Sequence, residues 1–122
     1  MWVWRQKEGT MRQAAGALLA SGYSGIAMGK NEPSAQHLEG IGPIPIGAYH
    51  IGFPFDHPER GPLCLPLTPH PDNQMFSRSG FLIHGDNKDP AKAGTASHGC
   101  IILPRFAREI LAGPDHLLVV LP

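Results

Sequence analysis

The sequence places Cys100 at the end of the block Ser97-His98-Gly99-Cys100, and a further histidine, His84, closes an apolar run sixteen positions earlier. A thiol becomes a strong nucleophile when a base removes its proton, and histidine does this near neutral pH. These residue types predict attack of a thiolate on a carbonyl carbon. We predict that His84 is the base, and His98 is the alternative.

Attack on a carbonyl also needs a group that orients the base and donors for the developing oxyanion. Gly85 has no side chain, so its carbonyl can approach the His84 ring and fix the tautomer, and Asp86 is an alternative orienter. We expect the main-chain amides of Gly99 and Cys100 to face the oxyanion. Ser97 either caps the loop or acts directly in the site.

The competing chemistry is a metal site, because His84, Asp86, His98 and Cys100 are residue types that ligate zinc. The His98 and Cys100 spacing does not match the usual structural zinc patterns, so we expect neither a metal nor another cofactor. The second cysteine, Cys64, lies in an apolar, proline-flanked segment and is expected to be a buried, inert thiol. A disulfide between Cys64 and Cys100 would block the nucleophile.

The composition excludes several function classes. Ten Lys and Arg balance ten Asp and Glu, so no global field attracts nucleic acid. No apolar stretch approaches the roughly 20 residues that span a bilayer, and the N-terminus has no visible signal peptide. The length of 122 residues predicts one domain over residues 1–122.

Fifteen glycines and thirteen prolines predict a mainly β fold of short strands joined by turns, in a sandwich-like or barrel-like sheet. Glu8-Gly9 favours an opening hairpin, and one short helix is expected after Pro104, with an apolar face formed by Phe106, Ala107, Ile110 and Leu111. A helical turn is expected after Pro33. The predicted strands are Met1–Arg5, Ala17–Ala20, Gly47–Phe53, Gly80–His84, Cys100–Leu103 and His116–Leu121.

The segment from Gly42 to Ile51 contains Pro43 and Pro45 and is predicted to be a stiff, extended entry into a strand. Two interpretations remain open for it. It lines a groove, or it is an edge strand that proline protects from aggregation.

The block Ser97-His98-Gly99-Cys100, with the upstream Ile83-His84-Gly85, resembles the signature of the L,D-transpeptidase (YkuD-type) catalytic domains. Other segments resemble a small subgroup without peptidoglycan-binding modules, similar to effectors that type VI secretion systems deliver into rival bacteria. These segments are Gly22-Tyr23-Ser24-Gly25, Asn31-Glu32-Pro33, Gly42-Pro43-Ile44-Pro45-Ile46-Gly47-Ala48-Tyr49, Arg78-Ser79-Gly80-Phe81 and His84-Gly85-Asp86-Asn87.

The resemblance implies an L,D-transpeptidase-like β-sandwich with a groove, and a thiol enzyme that acts on the peptide stems of peptidoglycan. In that family the cysteine attacks the carbonyl of the third stem residue and expels the terminal D-alanine. Water, a free D-amino acid or an amine of another stem then resolves the acyl-enzyme. By position, Cys100 is the nucleophile, His84 the base, and Ser97, His98 and Gly99 the supporting loop. Candidate substrate contacts are Tyr49, Arg78 and Asp86.

The chain departs from the family pattern at Ile102, where a polar residue, often Arg or Asn, is usual. The loop between His84 and Ser97 is also short. Arg78 and Arg105 are candidates to supply the missing polar group. We therefore expect trimming or exchange of tetrapeptide ends rather than cross-linking. The alternatives are a non-catalytic peptidoglycan-binding domain and a metal-dependent hydrolase.

The implied substrate lies outside the cytoplasm, and no signal peptide is visible. We therefore expect synthesis in the cytoplasm, secretion by a dedicated machine, and action in the periplasm of a target cell. A cognate immunity protein is the expected partner in the producing cell.

Overall fold

The computed structural model describes residues 1–122. It contains ten short strands, one α-helix, and three isolated 3-10 turns at Ala27–Gly29, Pro33–Ala35 and Pro90–Lys92. The strands are β1 (Trp2–Arg5), β2 (Thr10–Gln13), β3 (Leu18–Ser21), β4 (Tyr23–Ser24), β5 (Gly47–Ile51), β6 (Phe55–His57), β7 (Gly61–Pro69), β8 (Leu82–His84), β9 (Ile101–Ile102) and β10 (Leu117–Leu121), and the helix is α1 (Arg105–Leu111). The expected mainly β, sandwich-like fold with short helices is confirmed.

The strands follow the order β3-β2-β1-β10-β5-β7-β8-β9-β4, with β6 paired to β7 outside this path. Strand β7 belongs to both halves of the order. Its last residues pair with β5 and its middle residues pair with β8. The chain therefore passes through β7 from the sheet that carries the N-terminal strands to the sheet that carries the histidine and the thiol.

The first strand lies inside the larger sheet. It pairs antiparallel with β2, where Trp4 is opposite Met11, and parallel with β10, where Trp4 is opposite Val120. All three side chains are fully buried in the main core cluster. The opening hairpin predicted from Glu8-Gly9 is thus confirmed, and it provides scaffold far along the sheet order from the thiol.

Strand β5 corrects the edge-strand interpretation of the segment from Gly42 to Ile51. It lies between β10 and β7, with partners on both sides. The prolines at 43 and 45 precede the strand, so they remove no ladder hydrogen bond from its centre. They fix an extended approach to the sheet instead.

Three strands, β4, β6 and β7, were not predicted. The longest of them, β7, contains Pro62, Pro66 and Pro69, and prolines normally argue against a paired strand. Here the strand changes partner along its length, from β6 to β8 to β5. Each proline therefore occupies a different local ladder, and no single ladder must tolerate all three.

The helix forms where expected, with Pro104 as its N-cap residue, but only two of the four residues of the predicted apolar face are buried. Ala107 and Leu111 are buried, whereas Phe106 is 56% and Ile110 49% exposed. Arg108 takes the remaining buried position of this face. No helix of the molecule is long and apolar enough to cross a membrane.

Arg108 can be buried because three main-chain carbonyls, in place of water, accept hydrogen bonds from its guanidinium. Its Nε donates to Leu103 O at 3.1 Å, and its Nη1 donates to Pro62 O and Leu63 O at 2.8 Å each. A buried cation needs such acceptors. These bonds tie α1 to the start of β7.

Candidate active site

The thiol and His84 are brought together by the parallel pair of β8 and β9. His84 is opposite Ile102 in this ladder, so the register two residues back places Cys100 beside Leu82. Side chains two residues apart share a face of a strand, which places Cys100 on the face that carries His84. Consistent with this, the Leu82 N–H donates to Cys100 Sγ at 3.4 Å.

The ring of His84 is held in one tautomer by its neighbour. Its Nδ1 lies 2.8 Å from Gly85 O, and a carbonyl only accepts hydrogen bonds, so Nδ1 carries the proton. The other nitrogen, Nε2, is buried and has no hydrogen-bond partner. His84 therefore keeps a buried, unprotonated nitrogen that has no hydrogen-bond partner.

Asp86 does not orient this histidine. Its Oδ1 accepts from the Tyr23 hydroxyl at 2.6 Å and from Asn87 N at 2.7 Å, and Oδ2 accepts from Gly94 N at 3.1 Å. The carboxylate thus organises the loop that follows β8. Its side chain remains at the surface of the cleft described below.

Burial sets the protonation state of both reacting groups. It lowers the pKa of His84, partly offset by the Gly85 hydrogen bond, and the nearby Arg60 and Arg108 lower this pKa further. Burial raises the pKa of the Cys100 thiol, opposed by the Leu82 N–H and by Arg60. Both shifts favour a neutral thiol beside a neutral imidazole in the resting protein.

The loop before the thiol is held by the buried hydroxyl of Ser97. This oxygen accepts from Gly25 N at 2.8 Å and from Gly99 N at 3.1 Å, and its proton is donated to Cys100 O. A second buried serine, Ser24, donates to Gly99 O at 2.8 Å. The Ser97 hydroxyl thus holds the loop in place, and both its donor and its acceptor positions are occupied.

These bonds correct the expectation for the oxyanion donors. The Gly99 N–H is directed at Ser97 Oγ and not into the pocket. The Cys100 N–H has no acceptor within the chain. Of the two amides expected to face the oxyanion, the Cys100 amide is the one left available.

Arg78 lies behind this loop and not on the substrate side. Its side chain is only 6% exposed, and its guanidinium donates to four main-chain carbonyls and lies over the Phe81 ring. The four acceptors are Gln36 O at 2.6 Å, Pro43 O at 2.7 Å, Gly42 O at 2.9 Å and His98 O at 3.1 Å. The expected substrate contact is therefore corrected to a positioning role.

Gly99 is required by this packing. Its φ is +142°, and an added Cβ would lie 2.6 Å from Arg78 Nη2 and 2.7 Å from Phe81 Cε1. A side chain at this position would meet both the guanidinium and the ring. The glycine lets the loop pack directly onto Arg78.

Tyr49 also does not face the substrate. Its side chain is 1% exposed in the core, and its hydroxyl donates to Pro45 O at 2.6 Å. The prediction of a substrate contact at this residue is wrong. The tyrosine instead fixes the extended segment that leads into β5.

His98 takes a different position from His84. Its Nδ1 lies 3.0 Å from Gly40 O, and its side chain is exposed. It lines the pocket of the thiol from the solvent side. The structure thus brings both histidines to the thiol pocket, with His84 buried and His98 at the rim.

The site opens into two concavities that share lining residues. A small pocket of about 190 Å³ contains Cys100 together with His84 and His98. A larger cleft of about 820 Å³ also contains the two histidines and extends to Asp86 and α1. Sequence reasoning missed Arg60, which lines both, because the hairpin of β6 and β7 that carries it was not predicted.

The two cysteines are free. Cys64 is buried in β7, and its Sγ donates to Gly61 O at 3.3 Å. No group of three or more His, Cys, Asp or Glu side chains is arranged so that it could hold a metal ion. His84, Asp86, His98 and Cys100 therefore do not form the ligand cluster that a zinc site needs.

A cysteine and a tautomer-fixed histidine that line one pocket of a β-rich domain are the arrangement expected of a thiol enzyme of the acyl-transfer class. A family model described as the L,D-transpeptidase catalytic domain (YkuD) matches residues 1–112. The chain belongs to this family, whose members are cysteine-dependent L,D-transpeptidases that modify peptidoglycan. No curated protein matches the chain.

Proposed function

We propose that the protein removes or exchanges the terminal D-alanine of tetrapeptide stems through an acyl-enzyme on Cys100. The observation that carries this proposal is that Cys100 lines the same pocket as His84, whose Nε2 has no hydrogen-bond partner. A neutral imidazole with an available nitrogen is the group that can take the proton of a thiol as it attacks.

In the first half of the reaction, His84 Nε2 takes the thiol proton while Cys100 Sγ forms a bond to the carbonyl carbon of the third stem residue. The negative charge moves to the carbonyl oxygen, where the Cys100 N–H is available to stabilise it. The oxyanion then collapses and the bond to the D-alanine nitrogen breaks. His84 returns its proton to that nitrogen, so D-alanine leaves as a neutral amine and a thioester remains.

In the second half, water or the amine of a free D-amino acid attacks the thioester. His84 takes a proton from the attacking group, the carbon–sulfur bond breaks, and the proton returns to the thiolate. Water yields a tripeptide stem, and a D-amino acid yields an exchanged tetrapeptide. The protonation states are the same before and after each turnover.

Ile102 supports trimming or exchange over cross-linking. The residue is 3% exposed, and its strand position is opposite His84. It places an apolar side chain where relatives usually carry a polar one, so this position offers no hydrogen bond to a second stem. Water and single D-amino acids need fewer such contacts than a second stem does.

The test is incubation of the purified protein with disaccharide tetrapeptide, with and without a free D-amino acid. Mass spectrometry of the products separates the loss of D-alanine, the exchange of D-alanine and the formation of dimers. We expect loss and exchange for the wild type and neither for Cys100→Ala. Dimers as the main product would contradict the preference for small acceptors.

We further propose that the protein is an antibacterial effector that acts in the periplasm of a target cell and is neutralised by an immunity protein in the producer. The support is the similarity of segments such as Arg78-Ser79-Gly80-Phe81 and His84-Gly85-Asp86-Asn87 to type VI effectors. Fusion to a periplasmic export signal should make wild-type expression toxic. Equal growth with the wild type and with Cys100→Ala would contradict the effector role.

A further inference from the structure

Arg60 lies where the thiol pocket meets the larger cleft. It lines the small pocket together with Cys100 and His84, and it also lines the cleft that runs toward α1. No other arginine or lysine lines both concavities. A ligand that extends from the thiol pocket into the larger cleft therefore lies within reach of this residue.

The turn that carries Arg60 is braced from within. The His57 ring Nδ1 accepts from Glu59 N and from Arg60 N, each at 3.0 Å. Asp56 Oδ1 accepts from Leu63 N at 3.1 Å on the opposite strand. The base of this hairpin is also held by the bonds from Arg108 to β7. The long side chain thus projects from a fixed backbone position.

The charge of Arg60 has no partner within the chain. The salt bridges of the molecule occupy Arg12 and Arg105 but not Arg60. Its side chain is exposed, and the adjacent Glu59, which also lines the cleft, forms no ion pair with it. An unpaired guanidinium at a cleft wall is suited to bind a carboxylate with two parallel hydrogen bonds.

The other cations near the site are differently placed. Arg108 is committed to carbonyls, Arg105 Nε pairs with Glu109 at 3.0 Å, and Lys88 lines only the larger cleft. Arg60 also affects both reacting groups, because its charge lowers the pKa of His84 and of Cys100. Arg60 is therefore the solvent-exposed cation whose charge acts on both reacting groups.

We propose that Arg60 is a specificity-determining residue that binds the free carboxylate of the residue on the leaving side of the scissile bond. This inference rests on the proposed function, in which the leaving residue is a terminal D-amino acid. Its carboxylate lies one residue beyond the carbonyl that the thiol attacks. The enzyme then selects stems that end at this residue and discriminates against stems whose terminus is amidated or extended.

The first experiment measures alkylation of Cys100 and needs no turnover. Iodoacetate carries a carboxylate, iodoacetamide is its neutral counterpart, and peptide mass spectrometry separates modification of Cys100 from that of Cys64. We expect Arg60→Ala to lower the ratio of the iodoacetate rate to the iodoacetamide rate by about 5-fold, as expected for one partly solvated charge pair. A change in the thiolate fraction affects both reagents equally and cancels in the ratio.

The matched control is Arg5→Ala, because Arg5 is an exposed arginine on β1, at the other end of the sheet order. Arg5→Ala should leave the alkylation ratio unchanged. Arg60→Lys should retain part of the preference for iodoacetate, because lysine keeps the charge but lacks the planar guanidinium that forms two parallel hydrogen bonds. An unchanged ratio in Arg60→Ala would overturn the proposal. Thermal unfolding of each variant checks that the hairpin is intact.

The second experiment compares a tetrapeptide with a free terminal carboxylate and the same peptide with a terminal amide. We expect Arg60→Ala to lower the ratio of kcat/KM for the acid to kcat/KM for the amide about 10-fold, because any change in the pKa of His84 or Cys100 affects both peptides and cancels in the ratio. Equal losses for both peptides would overturn the proposal. A protein that shows the Arg60-dependent alkylation ratio but does not turn over either peptide would refute the proposed reaction. The same result would support recognition of a carboxylate by Arg60.

Discussion

His84 Nδ1 and Gly85 O lie 2.8 Å apart, and this contact between consecutive residues decides which ring nitrogen carries the proton. A Cβ at position 85 would lie 2.8 Å from Arg108 Nη2. The carbonyl of residue 85 thus fixes the tautomer of the histidine, and the missing side chain leaves space for the buried arginine.

The two histidines should differ in their contribution to catalysis. His84→Ala removes the buried nitrogen that takes the thiol proton, and we expect release of D-alanine to fall about 100-fold or more. His98→Ala removes an exposed ring at the rim, and we expect a loss of less than about 10-fold. Steady-state rates of D-alanine release measure both. A larger loss for His98→Ala would reassign the base.

The pH dependence of turnover follows from the lowered pKa of His84. The residue acts as a base only when it is unprotonated, so lowering its pKa below the ordinary 6.5 keeps it active at more acidic pH. We expect the acidic limb of kcat/KM to be centred below pH 6.5. An acidic limb centred above 6.5 would contradict this environment.

The thiol should show the opposite shift. Burial raises the pKa of Cys100, so no preformed thiolate–imidazolium pair is expected at neutral pH. The rate of Cys100 alkylation by iodoacetamide should therefore rise continuously from pH 7 to above pH 9. A plateau already reached below pH 7 would indicate an ion pair and would contradict the neutral resting state.

Gly99→Ala should be more harmful than an ordinary substitution at a left-handed glycine. Gly16 is the matched control, because its φ is +107° and an added Cβ meets nothing within 4 Å. Backbone strain costs about 1–3 kcal/mol at either position. We expect Gly99→Ala to lose additional unfolding free energy and most activity, whereas Gly16→Ala remains active. Chemical denaturation and D-alanine release measure these effects.

Arg78→Met should destabilise the protein by about 3 kcal/mol or more, because it leaves several buried carbonyls without their charged donor. Arg105→Met should change stability by less than about 0.5 kcal/mol, since the pair with Glu109 is exposed. Urea unfolding of both variants provides the comparison. Equal and small effects would show that the Arg78 contacts do not hold the loop.

Local patterns were enough for part of this fold. The hairpin around Glu8-Gly9, the strands β1, β8 and β10, and the start of α1 after Pro104 follow from alternation, turn residues and proline preferences that act over a few positions. The proline-rich β7 was missed because its pairing depends on three different partner strands. No local pattern contains that information.

The arginines show the same limit at the site. Arg78 and Arg108 are buried by carbonyls that lie 5 to 46 positions away in the chain. Their burial cannot be read from their neighbours in sequence. The motif of Cys100 identified the nucleophile candidate, whereas the groups that brace it and the cation that faces it depend on tertiary packing.

The most direct test of the central claim is intact-protein mass spectrometry after a brief mixing with tetrapeptide substrate, followed by acid quenching and peptide mapping. The account predicts an adduct on Cys100 with the mass of the stem minus D-alanine, absent in Cys100→Ala and accumulating far more slowly in His84→Ala. Release of D-alanine that persists in Cys100→Ala, with no adduct on the wild-type thiol, would contradict it.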